Sequence, residues 1–487
     1  MEHVDVLIIG AGLSGVGAAA QVRTRLPGKT VAVLESRAAK GGTWDLFRYP
    51  GIRSDSDMFT FGYTWRPWDS DVALADGALI RDYIDTVARE YDVDRLIRFG
   101  HRVTRAVWDS ASARWTVTAS VGDPAADETV TMTASFLWSC AGYYKYDEGF
   151  QPTWPGMADF EGQVVHPQHW PDDLDHAGKR VVVVGSGATA VTLVPAMALG
   201  EGPAEHVTML QRTPTYILNR ARRDPVARLL TRWRAPDRVI YRAARWFNIV
   251  QAVASYQLSM RWPERAKAFI RKEVARQLPE GIDVDEHFSP PYDPWAQRLC
   301  FVPSGDLFKA FRGGTASIVT DTIDTFTPTG VRLTSGAEID ADLVVTATGF
   351  HMQVPLGGVD LEVDGEPVAY ADHLAYKSLM LSDVPNFFFT LGYTNASWTL
   401  KADLVIDYAC RLMAHLDRHG LQQAVPVPDP AVQRRPLMPL TSGYIQRSAH
   451  LLPAEGDRAP WRLDQNYFVD RRVIRKGAID DGVLRFT

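Results

Sequence analysis

Short apolar runs that end in glycine recur along the chain, and each is followed by sequence with helical periodicity. The run at residues 6–9 ends at Gly10, and the run at residues 181–184 ends at Gly185. Such uninterrupted runs are typical of strands that are buried on both faces of a parallel sheet. The alanine-rich sequence after each glycine favours an α-helix. The pattern therefore predicts two strand–glycine–helix units.

The remaining pattern predicts how these two units are arranged along the chain. Helical periodicity with dense arginine spans about residues 220–285, and short strand-like runs return from residue 315. We expect an α/β protein with two Rossmann-like dinucleotide-binding domains. The first domain comprises residues 1–147 and is completed by residues 340–487. The second comprises residues 148–339 and carries the helical stretch as an insertion.

Composition excludes several classes of function. With 46% hydrophobic and 23% charged residues among 487, the chain is typical of a globular protein, and its net charge of −6 gives no reason to expect nucleic acid. Cys140, Cys300 and Cys410 form no CxxC pair, which disfavours a disulfide framework or a thiol redox centre. No signal peptide and no apolar run of membrane-spanning length is visible, so we expect a cytoplasmic protein.

Residues 10–15 form the first candidate dinucleotide site. Gly10, Gly12 and Gly15 have the GxGxxG spacing directly after a strand and before a helix. Gly10 permits a tight turn, Gly12 lets a pyrophosphate approach the backbone, and Gly15 lets helix and strand pack closely. The helix N-terminus favours the phosphate charge, and Glu35, at the end of the next strand, can bind ribose hydroxyls. The alternative is a glycine-rich turn without a ligand.

A second candidate site repeats this design with a different strand end. Gly185, Gly187 and Ala190 have GxGxxA spacing, and the next strand ends at Arg212 and Thr213. An arginine there suits the 2′-phosphate of NADPH. One charge-assisted hydrogen bond contributes roughly 1.5–3 kcal/mol, which corresponds to about a ten- to hundredfold preference. The alternative is a solvated arginine at a strand end.

Two such sites with different strand ends indicate a tightly held FAD and an exchanging NADPH. NADPH would transfer hydride to the flavin, and molecular oxygen is a good candidate for the acceptor because no CxxC pair is present for disulfide reduction. Gly42 and Trp44, in "GGTWDLFRYPGIRSDSD" (residues 41–57), suit a close backbone approach and a cover over a flat ring. The alternative for this segment is a turn with core aromatics.

Residues 160–171 carry the motif FxGxxxHxxxW(P/D). Its positions are filled by Phe160, Gly162, His166, Trp170 and Pro171. With this motif the chain resembles the type I Baeyer–Villiger monooxygenases, a family of flavin monooxygenases. Two further signatures of that family are present, (A/G)GxWxxxx(F/Y)P(G/M)xxxD at residues 41–55 and DxxxxATG at residues 342–349. Nearly the whole chain is similar to the ethionamide-activating monooxygenase subgroup.

The resemblance implies an NADPH-dependent flavoprotein monooxygenase. Such an enzyme would use O2 to convert ketones to esters or lactones through a C4a-peroxyflavin, and would also oxidise sulfides and thioamides. The motif at residues 160–171 would be a hinge between the two domains, in which His166 acts structurally. The resemblance also places a catalytic arginine at Arg298, with Asp55 as its partner. The lysine that usually precedes this arginine is Gln297 here, so one possible contact to the 2′-phosphate is missing.

Other interpretations stay open at this point. The chain could be a flavin monooxygenase acting mainly on nitrogen or sulfur centres, or a sensor or scaffold that binds both cofactors without turnover. Asn395 and Trp398 are candidates on the flavin or substrate side, against the alternative of a helix cap at Thr394 or Asn395.

Two further features of the sequence have competing explanations. The arginine-rich insertion with Trp233, Trp246 and Trp262 is either a solvated face over a substrate channel, which we favour, or a weakly membrane-associated surface. His166 and His169 lie three residues apart, but no further ligands converge on them, so we expect no metal site.

Overall fold

The computed structural model describes residues 1–122, 128–353, 357–462 and 464–487. Its strands are, in chain order, β1 (Glu2–Ile9), β2 (Val31–Leu34), β3 (Ile97–Arg98), β4 (His101–Asp109), β5 (Arg114–Val121), β6 (Thr129–Ser139), β7 (Tyr144–Gly149), β8 (Gln163–Val165), β9 (Arg180–Val184), β10 (His206–Gln211), β11 (Ile217–Arg220), β12 (Cys300–Pro303), β13 (Ala316–Thr320), β14 (Ile323–Thr327), β15 (Gly330–Leu333), β16 (Glu338–Asp340), β17 (Leu343–Thr346), β18 (Phe350–Met352), β19 (Asp360–Val363), β20 (Glu366–Pro367), β21 (Ala375–Tyr376), β22 (Met380–Leu381), β23 (Phe387–Phe389), β24 (Ala424–Pro426), β25 (Arg434–Pro436), β26 (Ala454–Gly456) and β27 (Leu484–Phe486).

Its α-helices are α1 (Leu13–Arg25), α2 (Thr43–Leu46), α3 (Met58–Phe61), α4 (Gly77–Glu90), α5 (Ala188–Leu199), α6 (Pro225–Arg232), α7 (Asp237–Arg261), α8 (Pro263–Ala275), α9 (Val284–Phe288), α10 (Asp306–Arg312), α11 (Trp398–His419), α12 (Gly443–Ser448) and α13 (Tyr467–Asp470).

The first sheet is built around β1, which pairs in parallel with both of its neighbours and whose apolar residues from Val6 to Ile9 are buried. The strand order is β20-β19-β4-β5-β6-β1-β2-β3, and β23 also pairs with β6. β19 joins the sheet beside β4, and β23 joins it beside β6. Strands from beyond residue 357 therefore add to the sheet that the N-terminal strand begins.

The second sheet contains five parallel strands in the order β13-β10-β9-β17-β8. Its central strand β9 carries three consecutive buried valines, Val181, Val182 and Val183. Helix α5 follows β9 after a glycine turn, as α1 follows β1. The prediction of an α/β fold with two Rossmann-like domains is thus confirmed.

Two chain segments connect the sheets, and they pair with each other. β7 leads from the first sheet to the second, and β18 leads back. The two strands are antiparallel, with Gly149 opposite Phe350 and Tyr144 opposite Met352. Both connections therefore belong to one two-stranded ribbon.

The arginine-rich stretch forms helices α6 to α9, between β11 and β12. Helix α7 is attached to the first domain through Arg245, which is 5% exposed. The guanidinium of Arg245 donates to the carbonyl oxygens of Phe59, at 2.7 Å, and Gly62, at 3.1 Å. It also lies 3.6 Å from the carboxylate of Asp403 on α11. A buried cation needs such a complete set of partners, so these bonds hold α7 in place.

Candidate active site

In the first glycine turn, contacts within the protein explain some of the glycines but not all of them. Gly10 has a φ of +96°, a left-handed conformation that glycine adopts without strain. A Cβ atom on Gly15 would lie 1.8 Å from the carbonyl oxygen of Gly10. At Gly12 a Cβ atom would lie 3.6 Å from the Cα of Gly42, which is an ordinary contact. The fold therefore requires glycine at positions 10 and 15, whereas at position 12 the protein's own atoms leave room for a side chain.

The second glycine turn has the same division of roles. Gly185 has a φ of +141°, and a Cβ atom on it would lie 2.4 Å from the carbonyl oxygen of Ala347. Ala190 is fully buried, so this position accepts the methyl group that position 15 rejects. Gly187 has a φ of −78°, and a Cβ atom there would meet no described atom within 4 Å. Packing within the protein thus does not explain why position 187 is glycine.

Glu35 is buried beside the first turn, where its carboxylate is held by backbone amides. One carboxylate oxygen accepts from the amide of Ala11 at 2.7 Å, and the other accepts from the amide of Arg37 at 2.9 Å. A carboxylate has about four acceptor positions. Glu35 can therefore accept further hydrogen bonds from hydroxyl groups while it stays fixed by the turn.

Two neighbouring cavities lie where the domains meet. The first has a volume of 330 Å³, and the second has a volume of 860 Å³. The first is lined by the predicted residues Gly10, Gly12, Glu35, Gly42, Trp44, Asp55 and Arg298, among others. Asp55 and Arg298 also line the second cavity. The two residues predicted to act in catalysis therefore lie at the junction of the two cavities.

Arg298 is held at this junction as a permanent cation. It lies two residues before β12, next to the phenol groups of Tyr143 and Tyr444 and near Asp55. Burial disfavours the charge, but these neighbours hold the pKa of Arg298 above its ordinary value. The expected ion pair with Asp55 is not formed, because no nitrogen–oxygen distance between them is within 4.0 Å. The Asp55 carboxylate instead stabilises the charge of Arg298 by a longer-range electrostatic attraction.

Trp44 and Trp398 form parts of the aromatic wall of the first cavity. Trp44 is half-buried, with its ring centroid 5.7 Å from that of Phe61. Trp398 lies 5.7 Å from the ring of Tyr143, and its indole nitrogen donates to the hydroxyl of Ser14 at 2.8 Å. Both indoles are therefore fixed by packing at the edge of the cavity.

The segment before α11 differs from the helix cap considered from sequence. The cap residue of α11 is Ser397, and neither Thr394 nor Asn395 caps the helix. Asn395 is buried, and its amide nitrogen donates to the carbonyl oxygen of Gln465 at 2.9 Å. Its side-chain oxygen has no hydrogen-bond partner in the described part of the chain. Asn395 lines the second cavity, where an acceptor of this kind can receive a hydrogen bond.

The motif at residues 160–171 lies against both connections between the domains. His166 Nδ1 accepts from the amide of Gln168 at 3.2 Å, so Nε2 carries the proton and donates to the carbonyl oxygen of Gly349 at 3.2 Å. Burial of the ring lowers the pKa of His166, against the opposing effect of the Gly349 carbonyl. The neutral ring therefore bridges the motif to the segment that leads back to the first domain.

The other residues of the motif support this loop. A Cβ atom on Gly162 would lie 2.5 Å from the ring of Phe160 and 2.6 Å from the carbonyl oxygen of Asp342, so glycine is needed there. Phe160 is buried against the ring of Phe326 at 5.7 Å. Trp170 is half-buried against the core of the second domain, and Pro171 is exposed. These contacts are structural, and none of these side chains lines the two cavities.

The end of β10 carries the residues predicted to bind the NADPH phosphate. Arg212 is exposed and has no ion pair with any residue of the described ranges. The carbonyl oxygen of Thr213 accepts from the hydroxyl of Ser186 at 2.8 Å, which ties this strand end to the second glycine turn. Arg212 is thus a free cation that follows directly on the strand beside that turn.

Sequence reasoning missed several residues that complete the site. Tyr143, Tyr144 and Tyr444 surround Arg298, and Gly149 contacts the ring of His166. No local signal marks these tyrosines, because their convergence depends on β7 and α12 meeting in space. Within the described ranges, no group of three His, Cys, Asp or Glu side chains is arranged to hold a metal ion.

Comparison with known proteins identifies related sequences along the full length. A family model described as flavin-binding monooxygenase-like matches residues 67–358, and one for an NAD(P)-binding Rossmann-like domain matches residues 8–69. The chain is 52% identical to the FAD-containing monooxygenase EthA of Mycobacterium tuberculosis H37Rv, over 100% of this chain and 98% of that protein.

Two solved structures show the same fold at lower identity. An oxidised steroid monooxygenase bound to NADP matches with a TM-score of 0.75 and 24% identity, over 99% of both chains. An open structure of cyclohexanone monooxygenase matches with a TM-score of 0.75 and 21% identity, over 100% of both chains.

Proposed function

The chain belongs to the flavin-binding monooxygenase-like family, and from that premise we propose that it is an FAD- and NADPH-dependent Baeyer–Villiger monooxygenase. It uses O2 to convert ketones to esters or lactones, and it also oxidises sulfides and thioamides. The observation that carries this proposal is the position of Arg298, a half-buried cation at the junction of the cavity beside the first glycine turn and a larger chamber.

FAD fits the first cavity because of the room that is left at Gly12. Among the described residues no atom requires glycine there, and helix α1 begins directly after it without a side-chain cap on its first-turn amides. Such a helix start binds a pyrophosphate through backbone N–H groups. Glu35 accepts hydrogen bonds from the ribose, and Trp44 contributes to the wall of the cavity. These residues position the cofactor without taking part in the reaction.

NADPH fits the second glycine turn by the same physical argument. Gly187 leaves its surroundings open, and helix α5 begins directly after it. Arg212 offers an unpaired guanidinium for the 2′-phosphate, and an arginine matches phosphate oxygens with two parallel hydrogen bonds. Gln297 stands where related enzymes have a lysine that could contact the 2′-phosphate. Arg212 therefore carries most of the discrimination between NADPH and NADH.

Bound FAD would accept hydride from NADPH and, once reduced, would react with O2 and supply the oxygen atom that enters the substrate. Arg298 stays protonated throughout, because its pKa is raised in the folded protein. A fixed cation stabilises negative charge that develops beside it, and does so more strongly where water is excluded. Asp55 offsets part of this charge from a distance and limits the cost of burying Arg298.

The second cavity is the substrate chamber of the proposal. It opens from Arg298 and Asp55 and continues between the helices α7 and α8. Asn395, with its unpartnered side-chain oxygen, is the polar group that can orient a substrate near Arg298. Buried apolar side chains of the chamber, among them Leu299 and Leu400, keep water from part of its wall, and exclusion of water suppresses the loss of reducing equivalents to hydrogen peroxide.

The proposal is tested by reducing the flavoprotein with NADPH in the absence of oxygen and then mixing it with oxygenated buffer. Flavin reoxidation is followed with and without a simple ketone or sulfide, and the products are identified by mass spectrometry. Formation of ester together with ketone-dependent reoxidation supports the proposal. Oxidation of sulfides or amines without ester formation would favour a heteroatom monooxygenase, and reoxidation with quantitative peroxide release would contradict both.

A further inference from the structure

Exposed apolar side chains are concentrated in the helical segment between β11 and β12. Ten of the seventeen exposed large hydrophobic side chains among the described residues lie there. We call them the apolar face: Leu229, Trp233, Val239, Trp246, Phe247, Val250, Leu258, Met260, Trp262 and Phe269. Monomeric proteins rarely leave so many large apolar groups together on one surface unless the surface binds something.

Packing within the protein does not account for the apolar face. Helix α7 already buries one side, with Tyr241, Ala244 and Ile249 among its buried residues, against the first domain. A helix at a protein surface normally has charged or polar residues on the opposite side. Helix α7 instead exposes Trp246 at 41% and Val250 at 51%. The exposed side of the helix thus carries large apolar groups beside the charged Arg238 and Arg242, and the described residues leave those apolar groups uncovered.

Positive charge accompanies these apolar groups. Residues 225–276 contain twelve Lys and Arg against three Asp and Glu, a net charge of +9 in a chain whose total is −6. Within the described ranges, seven of these arginines form no ion pair: Arg228, Arg232, Arg234, Arg238, Arg242, Arg261 and Arg265. Cations that are not neutralised by the protein itself attract an anionic partner.

Arginine and tryptophan are paired on this surface, and the surface continues onto the C-terminal segment. The guanidinium of Arg265 lies 5.7 Å from the ring centroid of Trp262, and that of Arg471 lies 5.7 Å from the ring centroid of Trp246. Trp246 also stacks on Phe468 with the centroids 6.2 Å apart. Tryptophan beside arginine is the composition of helices that lie in the headgroup region of a bilayer.

The substrate chamber opens within the same surface. Leu258, Trp262 and Phe269 belong to the apolar face, and they also line the chamber of 860 Å³. No helix in the described part of the chain is both long and apolar enough to cross a bilayer. An association through this surface would therefore place the helices along the bilayer, with the mouth of the chamber towards it.

We propose that the apolar face docks the protein on the surface of an anionic phospholipid bilayer. The arginines bind the lipid headgroups, and the exposed tryptophans and aliphatic side chains insert at the boundary of the acyl chains. The chamber then receives apolar compounds from the bilayer without passage through water. The docking itself does not depend on which reaction the protein catalyses.

The test is co-sedimentation of the flavin-loaded protein with vesicles. Vesicles of phosphatidylglycerol with phosphatidylcholine are compared with vesicles of phosphatidylcholine alone, at low and high NaCl. We expect binding to the anionic vesicles at low salt, weaker binding at high salt because the charges are screened, and little binding to the neutral vesicles.

Two sets of variants separate the apolar from the charged contribution. The triple variant Arg232→Gln, Arg234→Gln, Arg238→Gln should lower the partition coefficient about 100-fold, since each arginine near an anionic bilayer contributes about fivefold. The triple variant Trp233→Ser, Phe247→Ser, Val250→Ser should lower it by at least roughly tenfold. The triple variants Arg114→Gln, Arg435→Gln, Arg485→Gln and Leu79→Ser, Phe99→Ser, Leu199→Ser are matched exposed controls elsewhere on the surface and should bind as the wild type does.

Several outcomes would overturn the proposal. They are wild-type protein that remains in the supernatant with anionic vesicles, equal binding to neutral vesicles, or equal losses in the matched controls. Sedimentation velocity without lipid tests for another contradicting outcome. If the wild type is an oligomer and the triple serine variant is a monomer that still binds the vesicles, the apolar face is a contact between copies of this chain. NADPH oxidation in solution should be unchanged in all variants, so that a failure of docking is distinguishable from a failure of catalysis.

Discussion

The imidazole ring of His166 occupies the space that a side chain at position 149 would need. A Cβ atom on Gly149 would lie 1.9 Å from Cε1 of His166. Gly149 ends β7, and the ring donates to the carbonyl oxygen of Gly349, just before β18. His166 thus contacts both connections between the domains at the point where they pair. This contact links the loop at residues 160–171 to both connecting segments.

Gly149→Ala should therefore disturb the connection between the domains. The added methyl group displaces the ring of His166, and such overpacking costs about 1–3 kcal/mol. We expect a lower melting temperature and a smaller yield of product per NADPH consumed, measured by thermal denaturation and product analysis. Gly28→Ala is the control, since a Cβ atom at that exposed glycine meets no described atom within 4 Å. Equal behaviour of the two variants would show that the contact has no role.

His166 should also make stability depend on pH. Its pKa is lowered in the folded protein, mainly by burial, from an ordinary value of about 6.5. Above that value the ring is neutral in both states and its contribution is complete. As the pH falls, the unfolded chain takes up the proton first, so stability decreases until the pH passes the lower pKa of the folded state.

The measurement is the melting temperature of the wild type and of His166→Asn between pH 5 and pH 8. The wild type should lose more stability than the variant towards the acidic end. The exposed residue His450 supplies the control, His450→Asn, which should keep the pH dependence of the wild type. Parallel curves for the wild type and His166→Asn would contradict the prediction.

Gly187→Ala should weaken NADPH binding without affecting the fold. The position has ordinary backbone angles and room for a methyl group, so the free energy of unfolding should change by less than about 1 kcal/mol. The methyl group would stand where the pyrophosphate approaches, and we expect KM for NADPH to rise at least roughly tenfold. Gly15→Ala provides the contrast: its Cβ would clash with the Gly10 carbonyl, so protein and flavin should be lost together.

Arg212→Ala should reduce the preference for NADPH over NADH. Loss of one charge-assisted hydrogen bond predicts about a ten- to hundredfold increase in KM for NADPH, with KM for NADH little changed. Steady-state kinetics with both coenzymes measure this difference. Lys309→Ala removes an exposed cation from α10 of the same domain and should leave the ratio unaltered. A shift of equal size in both coenzymes would exclude a specific contact with the 2′-phosphate.

Arg298→Ala should separate oxygen consumption from product formation. The cation at the junction of the cavities would be absent, so ester yield should fall at least about 100-fold while flavin content is retained. NADPH should still be oxidised, with its electrons recovered as hydrogen peroxide. Arg298→Lys keeps a charge but not the guanidinium geometry, and it should recover only part of the yield. Wild-type ester yield in Arg298→Ala would remove this residue from the mechanism.

Local sequence was sufficient to predict the elements that bind dinucleotides. A buried strand, a glycine turn and a helix follow one another within about twenty residues, so backbone sterics and apolar periodicity specify them without distant contacts. The roles of Gly10 and Gly15 in the turn follow in the same way, because the residue that Gly15 would clash with is only five positions away. The motif of Phe160, Gly162 and His166 was also visible in the sequence, through its resemblance to the signature of a known family.

Only the tertiary structure decided how distant segments converge. Arg298 and Asp55 are 243 positions apart, and whether they form an ion pair or act through a longer distance depends on how β12 and the loop before α3 are placed. Likewise Gly149 meets His166 because two connecting segments pair as strands, which no local pattern encodes. The sequence of α7 is apolar on more than one side, but the choice of the side that packs against the first domain rests with Arg245 and its partners. Local periodicity therefore determined the elements, whereas long-range packing determined which of their faces form the site and which are exposed.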